Sequence, residues 1–213
     1  MKNDHRFWDR IARKYAAQPV ADEAAYETKL NKTREYFTPE SRVLEFGCGT
    51  GTTAIRHAPY VKEIVATDVS SRMIEIAWAR AQEAGVENVH FEAADFDNYE
   101  APVESFDMVV AHSILHLLAD RDAAIAKAHH LLKPGGVFVS STVCLGDGMG
   151  WIALIVPFAR ALGLFPRVKV FKETALRRSI ESAGFEIVYR WRADETTSKF
   201  GAVAVFLVAR KAG

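Results

Sequence analysis

Three glycines alternate in the stretch VLEFGCGTG, residues 43–51, where Gly47, Gly49 and Gly51 follow the acid Glu45. Glycines at that density let a ligand lie against bare backbone, and a helix starting just after them offers free N–H groups to an anion. The spacing is G-x-G-x-G. Thr52 stands where a dinucleotide fingerprint G-x-G-x-x-G needs its last glycine, and no Lys followed by Ser or Thr makes a phosphate-gripping loop. A second acid, Asp68, closes the apolar run IVATD 21 residues past Gly47, a distance at which a carboxylate can accept hydrogen bonds from ribose hydroxyls. A third, Asp95 in FEAADF, can accept from an exocyclic amine, and Phe96 beside it offers an apolar face to a flat ring, a pairing suited to adenine. Together these residues describe a nucleoside ligand with a carboxylate in place of a pyrophosphate.

Other reactive side chains are weaker candidates. Cys48 has no positioned base in the sequence and occupies the glycine loop, so it reads as packing rather than as a nucleophile. His112 and His116 are four apart and on a helix would share a face, as metal ligands do. Ser113 stands where a zinc-hydrolase motif has its glutamate and no third ligand is evident, so no metal is expected. His112 follows a strand end beside the expected ligand. His116 points toward the expected substrate and is the candidate general base, because its ordinary pKa is near neutrality. His129 and His130 close a helix, where a cation suits the dipole. Met73 reads as core or as the rim of the ligand site.

The elements that must carry these residues alternate. Two helical patterns, 6–17 and 22–37, come first, and Pro39 stops the second. Strands follow at 42–46, 62–67, 88–93 and 106–111, with helices at 52–57, 71–84 and about 120–132. KPGG, residues 133–136, reads as a turn into the strand VFVSST. The apolar stretch 144–170 breaks the rhythm with Gly and Pro and reads as an insertion. A helix at 172–184 and strands at 185–191 and 202–210 complete the chain, the last two forming a hairpin. Strands alternating with helices predict an α/β, doubly wound, Rossmann-like sheet with ligands at the carboxyl ends of its strands, where the glycines and both later acids fall.

VLEFGCGTG, IVATDVSSRMIEIA, FEAADF, FDMVVAHSILHLL, LLKPGG and ESAGFEIV resemble, in order and over residues 40–190, the segments of class I S-adenosylmethionine-dependent methyltransferases. The likeness is to the small-molecule type that includes the ubiquinone and menaquinone methylases. It implies a seven-stranded sheet, mostly parallel, with an antiparallel last strand. It also implies S-adenosyl-L-methionine as cofactor, with Gly47, Gly49 and Gly51 near its methionine part, Asp68 on the ribose, and Asp95 with Phe96 framing the adenine. Glu45, Cys48, Val69, Met73 and His112 complete the expected cofactor set. FWDRIARKY resembles the segment whose aromatic residue closes over the cofactor, and Tyr15 is the choice there. The Pro-Cys signature of pyrimidine-carbon methylation and the Asn-Pro-Pro-aromatic signature of amino methylation are both missing, which favours a small-molecule acceptor.

Composition agrees with these expectations. Lys+Arg and Asp+Glu are both 27, so no global field draws in nucleic acid or an acidic bilayer. The polar start MKNDHRFWDR and only two cysteines suggest the reducing cytoplasm. WIALIVPFARALGLF, 151–165, is interrupted by Pro157 and Arg160 and is too short to span a bilayer. The expected organisation is one methyltransferase domain over 1–213: a helical cap at 1–38, a cofactor core at 40–143, a substrate-capping insertion at 144–170, and the rest of the core at 171–213. In the insertion, Trp151, Ile155, Phe158 and Leu162 suit an apolar or aromatic acceptor, or else burial against the sheet or a second subunit. The chain is expected to act as a monomer or homodimer. Competing readings are a sensor of the cofactor, a protein methyltransferase and, less favoured by Thr52, a nicotinamide oxidoreductase.

Overall fold

Strands and helices alternate as the sequence pattern requires in the structure, a computed structural model that describes residues 4–148, 150, 166–192 and 203–213. Seven strands form one sheet: β1 (Arg42–Phe46), β2 (Glu63–Asp68), β3 (Val89–Ala93), β4 (Phe106–His112), β5 (Leu132–Cys144), β6 (Phe185–Arg192) and β7 (Val203–Lys211). Their order is β3-β2-β1-β4-β5-β7-β6. The first five run parallel, and β7 runs antiparallel to both β5 and β6, closing the expected hairpin. The sequence reverses direction across the sheet beside β1, which opens a crevice at its carboxyl end.

Both faces of the sheet are apolar, because helices cover both. Leu44, Phe46, Val109, Phe138 and Leu207 face one core, which α5 (Arg121–Leu131) and α6 (Glu173–Ser182) close with Ile125 and Ile180. Their strand neighbours Val43, Val110, Val139 and Phe206 face the other, closed by α4 (Ser71–Glu83) with Ile74 and Ala77. Ser70 caps α4 by accepting the Met73 amide at 3.1 Å. Asp120 caps α5 in the same way through Ala123.

Two helices lead into the sheet and are tied to it by polar contacts. α1 (Asp4–Ala16) lies along α4, where Asp9 accepts the Ser70 hydroxyl at 2.6 Å and the Ala16 carbonyl accepts Arg80 at 2.7 Å. From α2 (Glu23–Arg34), Glu23 and Glu27 both pair with Arg56 on α3 (Thr52–His57). α2 ends at Arg34 rather than at 37, since the Tyr36 and Phe37 amides turn back to Thr33 and Arg34. Residues just before a proline avoid the helical region, and Ser41 instead takes the Thr38 amide at 2.9 Å.

KPGG differs from expectation. It lies inside the long β5, which begins by pairing Leu132 with Phe106 and then shifts register before Met108 meets Val137. Residues 151–165 and most of the loop expected at 192–201 lie outside the described residues, as do the four apolar residues expected to face the acceptor. The two ends of the 144–170 stretch meet: the Gly146 amide donates to Phe171 at 2.9 Å, and Asp147 accepts the Glu173 amide at 2.7 Å. Among the described residues no helix is long and apolar enough to cross a membrane.

Candidate functional site

All three glycines of the loop after β1 have positive φ, at +69°, +55° and +76° for Gly47, Gly49 and Gly51. They have different neighbours. A Cβ on Gly51 would meet Phe91 at 2.7 Å and Ala77 at 2.8 Å, so this glycine lets α3, α4 and β3 pack. A Cβ on Gly47 would strike Ile114 at 2.6 Å. At Gly49 the space is open, with only the Tyr15 ring at 3.9 Å. The backbone at Gly49 is thus left bare of packed side chains.

Asp68, at the end of β2, holds this loop in place. One carboxylate oxygen accepts the Gly49 amide and the other the Ser70 amide, both at 2.9 Å. Burial pushes its pKa above the ordinary carboxylate value, and the two amide bonds oppose the rise. Two oxygens that each accept one amide retain lone pairs for further donors.

Two cavities meet at the loop. The smaller, about 120 Å³, is bounded by Asp68, Val69, Met73, Asp95, Phe96 and the loop residues Ile114, Leu117 and Leu118. The wider cleft, about 880 Å³, takes in Glu45, Cys48, Tyr26, Lys29, Arg80 and Trp191. Tyr15, Gly47, Gly49, His112 and Ser113 line both and form their common wall. Of the expected cofactor set, nine residues line the small cavity, Glu45 and Cys48 line only the wide one, and Gly51 lines neither.

Individual side chains refine the expectations. Tyr15 is 46% exposed overall, yet its phenol pKa is raised, by desolvation first and then by the charge of Asp68. Trp8, edge-on to Tyr15 at 6.4 Å, extends the same wall. Met73 is both buried, at 2% exposure, and part of the cavity wall. Asp95 lines the small cavity and caps a short 3₁₀ turn through the Asp97 amide at 3.2 Å. Phe96 stacks flat on Phe46 at 3.9 Å, carries Lys127 over its ring, and is only 5% exposed. It therefore gives the cavity a wall, with little free face for a flat ring to stack on.

Glu45 is buried between the loop and the sheet, and desolvation, followed by the charge of Asp68, pushes its pKa up to about 8. Burial thus favours the protonated form of this carboxyl. Burial, followed by the charges of Asp68 and Glu45, pushes the Cys48 thiol pKa up, which disfavours the thiolate that a nucleophile needs.

The histidines depart from the sequence reading. Residues 112–116 form a strand end and a turn rather than a helix, with Ser113 at φ +55°, so His112 and His116 have no shared helical face. Among the described residues no group of three or more His, Cys, Asp and Glu side chains could hold a metal. His112 lies on the common wall, with its Nε2 buried and unpartnered and its pKa lowered to about 3 by desolvation and then by Lys29. His116 lines neither cavity. Its backbone carbonyl accepts the Lys169 amide at 2.7 Å, and burial lowers its imidazole pKa to about 4. The positional ground for His116 as a general base is therefore lost.

Lys29, Ser141 and Trp191 were not singled out from the sequence as site residues. A signal existed for Lys29, which follows Tyr26 by three on the inward face of α2 that also carries Leu30 and Thr33.

Residues 37–174, well over half of the chain, match a family model described as a methyltransferase domain. The chain belongs to that family. Similar curated proteins include the uncharacterized methyltransferase YcgJ of Bacillus subtilis (strain 168), 37% identical over 100 residues, covering 47% of this chain and 40% of that one. A ubiquinone biosynthesis O-methyltransferase of Agrobacterium fabrum (strain C58 / ATCC 33970) is 27% identical over 154 residues, covering 70% of this chain and 61% of its own. This methyltransferase domain thus matches less than two thirds of the length of these relatives. Its fold is shared with the N-methyltransferase NodS of Bradyrhizobium japonicum WM9, solved with S-adenosyl-L-homocysteine. The TM-score is 0.76 at 19% identity, and 98% of each chain is covered.

Proposed function

We propose that this protein transfers a methyl group from S-adenosyl-L-methionine to a small acceptor that is apolar or carries a ring. The observation that carries the proposal is the Asp68 carboxylate, fixed by the Gly49 and Ser70 amides at the edge of a cavity that Asp95 also enters. The open space at Gly49 fits a ligand that must lie against backbone. Relatives named as ubiquinone biosynthesis methyltransferases support the choice of donor and of a small acceptor.

In this reading Asp68 holds the ribose hydroxyls, and Asp95 with Val69 and Met73 bounds the adenine. Gly47 and Gly49 face the methionine part, with Glu45 and Cys48 behind them. When bound, the cofactor supplies a methyl group on a sulfonium, whose carbon–sulfur electrons leave with sulfur as an acceptor lone pair forms the new bond. The chain's own work is to hold the acceptor in line and keep water out, which carries most of the acceleration in such a displacement. Trp8, Tyr15 and Tyr26 on the N-terminal helices form the wall on that side. The helices of 1–38 act as a cap over a core of 40–143 and 171–213. Both cysteines are free and buried, which suits a reducing cytoplasm.

Incubation with methyl-labelled S-adenosylmethionine and a cell extract tests this reading. Label is expected in small, extractable molecules. Label confined to protein or nucleic acid would overturn the acceptor class, and no transfer at all would point to a sensor.

A further inference from the structure

Among the described residues the wide cleft is lined by Lys29, Arg56 and Arg80, and two of these are already engaged. Arg56 pairs with Glu23 and Glu27, and Arg80 donates to the Thr50 and Thr52 hydroxyls and to the Ala16 carbonyl. Lys29 differs. Its half-buried Nζ has one hydrogen bond, 3.4 Å to the neutral Ser141 hydroxyl, and no ion pair among the described residues. Desolvation lowers its pKa, and the more distant Asp22, whose carboxylate caps α2, only partly offsets this. Burial holds the pKa of Glu45, in the same cleft, up at about 8, which disfavours the charge that could balance Lys29. A cation held this way is stabilised when an anion arrives, and an ammonium to anionic oxygen bond is about twice as strong as a neutral one.

Position distinguishes the possible anions. Ser141 pairs in register with His112 across β5 and β4, and His112 adds a buried Nε2 that lacks a partner. β5 lies two strands from β1, on the side opposite β2 and Asp68. At about 4.8 Å per strand this is roughly 10 Å from β1, on the side away from the Asp68 cavity.

We propose that Lys29, with Ser141 and His112 beside it, binds an acidic oxygen of the methyl acceptor, an ionised phenol, enol or carboxylate. The proposal rests on the methyltransferase reading and narrows its acceptor class.

Trp191 lines the cleft, so its fluorescence can report occupancy. Wild type, Lys29→Met and Lys29→Arg are each saturated with S-adenosylhomocysteine. They are then titrated with benzoate and pentafluorophenol, and with the neutral counterparts benzamide and pentafluoroanisole. In wild type and Lys29→Arg at least one anion is expected to bind about tenfold or more tightly than its counterpart, and Lys29→Met is expected to lose that preference. No preference for either anion in wild type, or a preference that survives in Lys29→Met, overturns the assignment. It is also overturned if Lys29→Met weakens S-adenosylhomocysteine but leaves 5′-methylthioadenosine, which lacks the amino-acid part, unchanged. Lys29 would then serve the cofactor's carboxylate. Failure of wild type to bind S-adenosylhomocysteine would instead defeat the methyltransferase reading beneath the proposal.

Discussion

The Asp68 carboxylate accepts the backbone amide of Gly49 at 2.9 Å, so an acid at the end of β2 fixes the glycine loop that follows β1. One side chain thereby shapes the loop and faces the small cavity. Asp68→Ala should lower S-adenosylhomocysteine affinity by about 100-fold, since each hydrogen bond to a charged group contributes roughly 1.5–3 kcal/mol. Asp68→Asn, which keeps one acceptor oxygen, should lose less. Calorimetric titration of both variants measures this, and equal affinity in Asp68→Ala and wild type would remove Asp68 from the site.

Gly51 and Gly49 should separate by substitution. Gly51→Ala forces a Cβ within 2.8 Å of Phe91 and Ala77, and should cost about 2–5 kcal/mol of stability through overpacking and a left-handed backbone. Gly49→Ala meets open space, so it should cost only the backbone term of about 1–2 kcal/mol, yet weaken the cofactor product about tenfold or more. Denaturant unfolding alongside ligand titration reads both quantities. Equal stability losses at the two positions would contradict the packing role given to Gly51.

Glu45 should make the ligand-free protein less stable as pH rises. Its pKa moves up from 4.5 to about 8, so its proton is shared by both states below 4.5 and kept only by the folded state between the two values. The stabilisation relative to an ordinary carboxyl is lost as pH climbs to 8. Glu45→Gln should therefore gain stability over wild type from pH 5 to 8, by up to about 5 kcal/mol at about 1.4 kcal/mol per pKa unit, and then level off. Unfolding curves at a series of pH values test this, and a difference that does not change with pH would rule it out.

The buried histidines act in the opposite sense. His57, edge-on to Phe37 at 5.0 Å with both ring nitrogens unpartnered, has its pKa lowered to about 3 by desolvation and then by Arg34. Its contribution is fully present above the ordinary value of 6.5 and is lost as pH falls toward 3. Acid unfolding of His57→Leu should therefore begin at lower pH than that of wild type. An unchanged acid midpoint would show that His57 does not govern it.

Much of the architecture could be read from the chain because local patterns and long-range packing agree. IVATD and FDMVVAH are apolar on both faces, as strands between two helical layers must be, and Ser70 precedes a helix it caps. What escaped depended on neighbours distant in sequence. Gly51 looked like a ligand contact, but Phe91 and Ala77 explain it. Phe96 offered a ring, and only the fold reveals Phe46 stacked on it. A lysine on a helix ordinarily reads as solvated, so Lys29 stood out only once β5 placed Ser141 opposite. The four-residue spacing of His112 and His116 suggested a helical pair, but a strand ends between them.

The identity of the ligand at Asp68 is tested most directly by calorimetric titration of the purified protein with S-adenosylhomocysteine and, separately, with NADH. S-adenosylhomocysteine is expected to bind at one site per chain, lose its affinity in Asp68→Ala, and leave NADH without measurable heat. Tight NADH binding with no heat from S-adenosylmethionine or its demethylated product would contradict it.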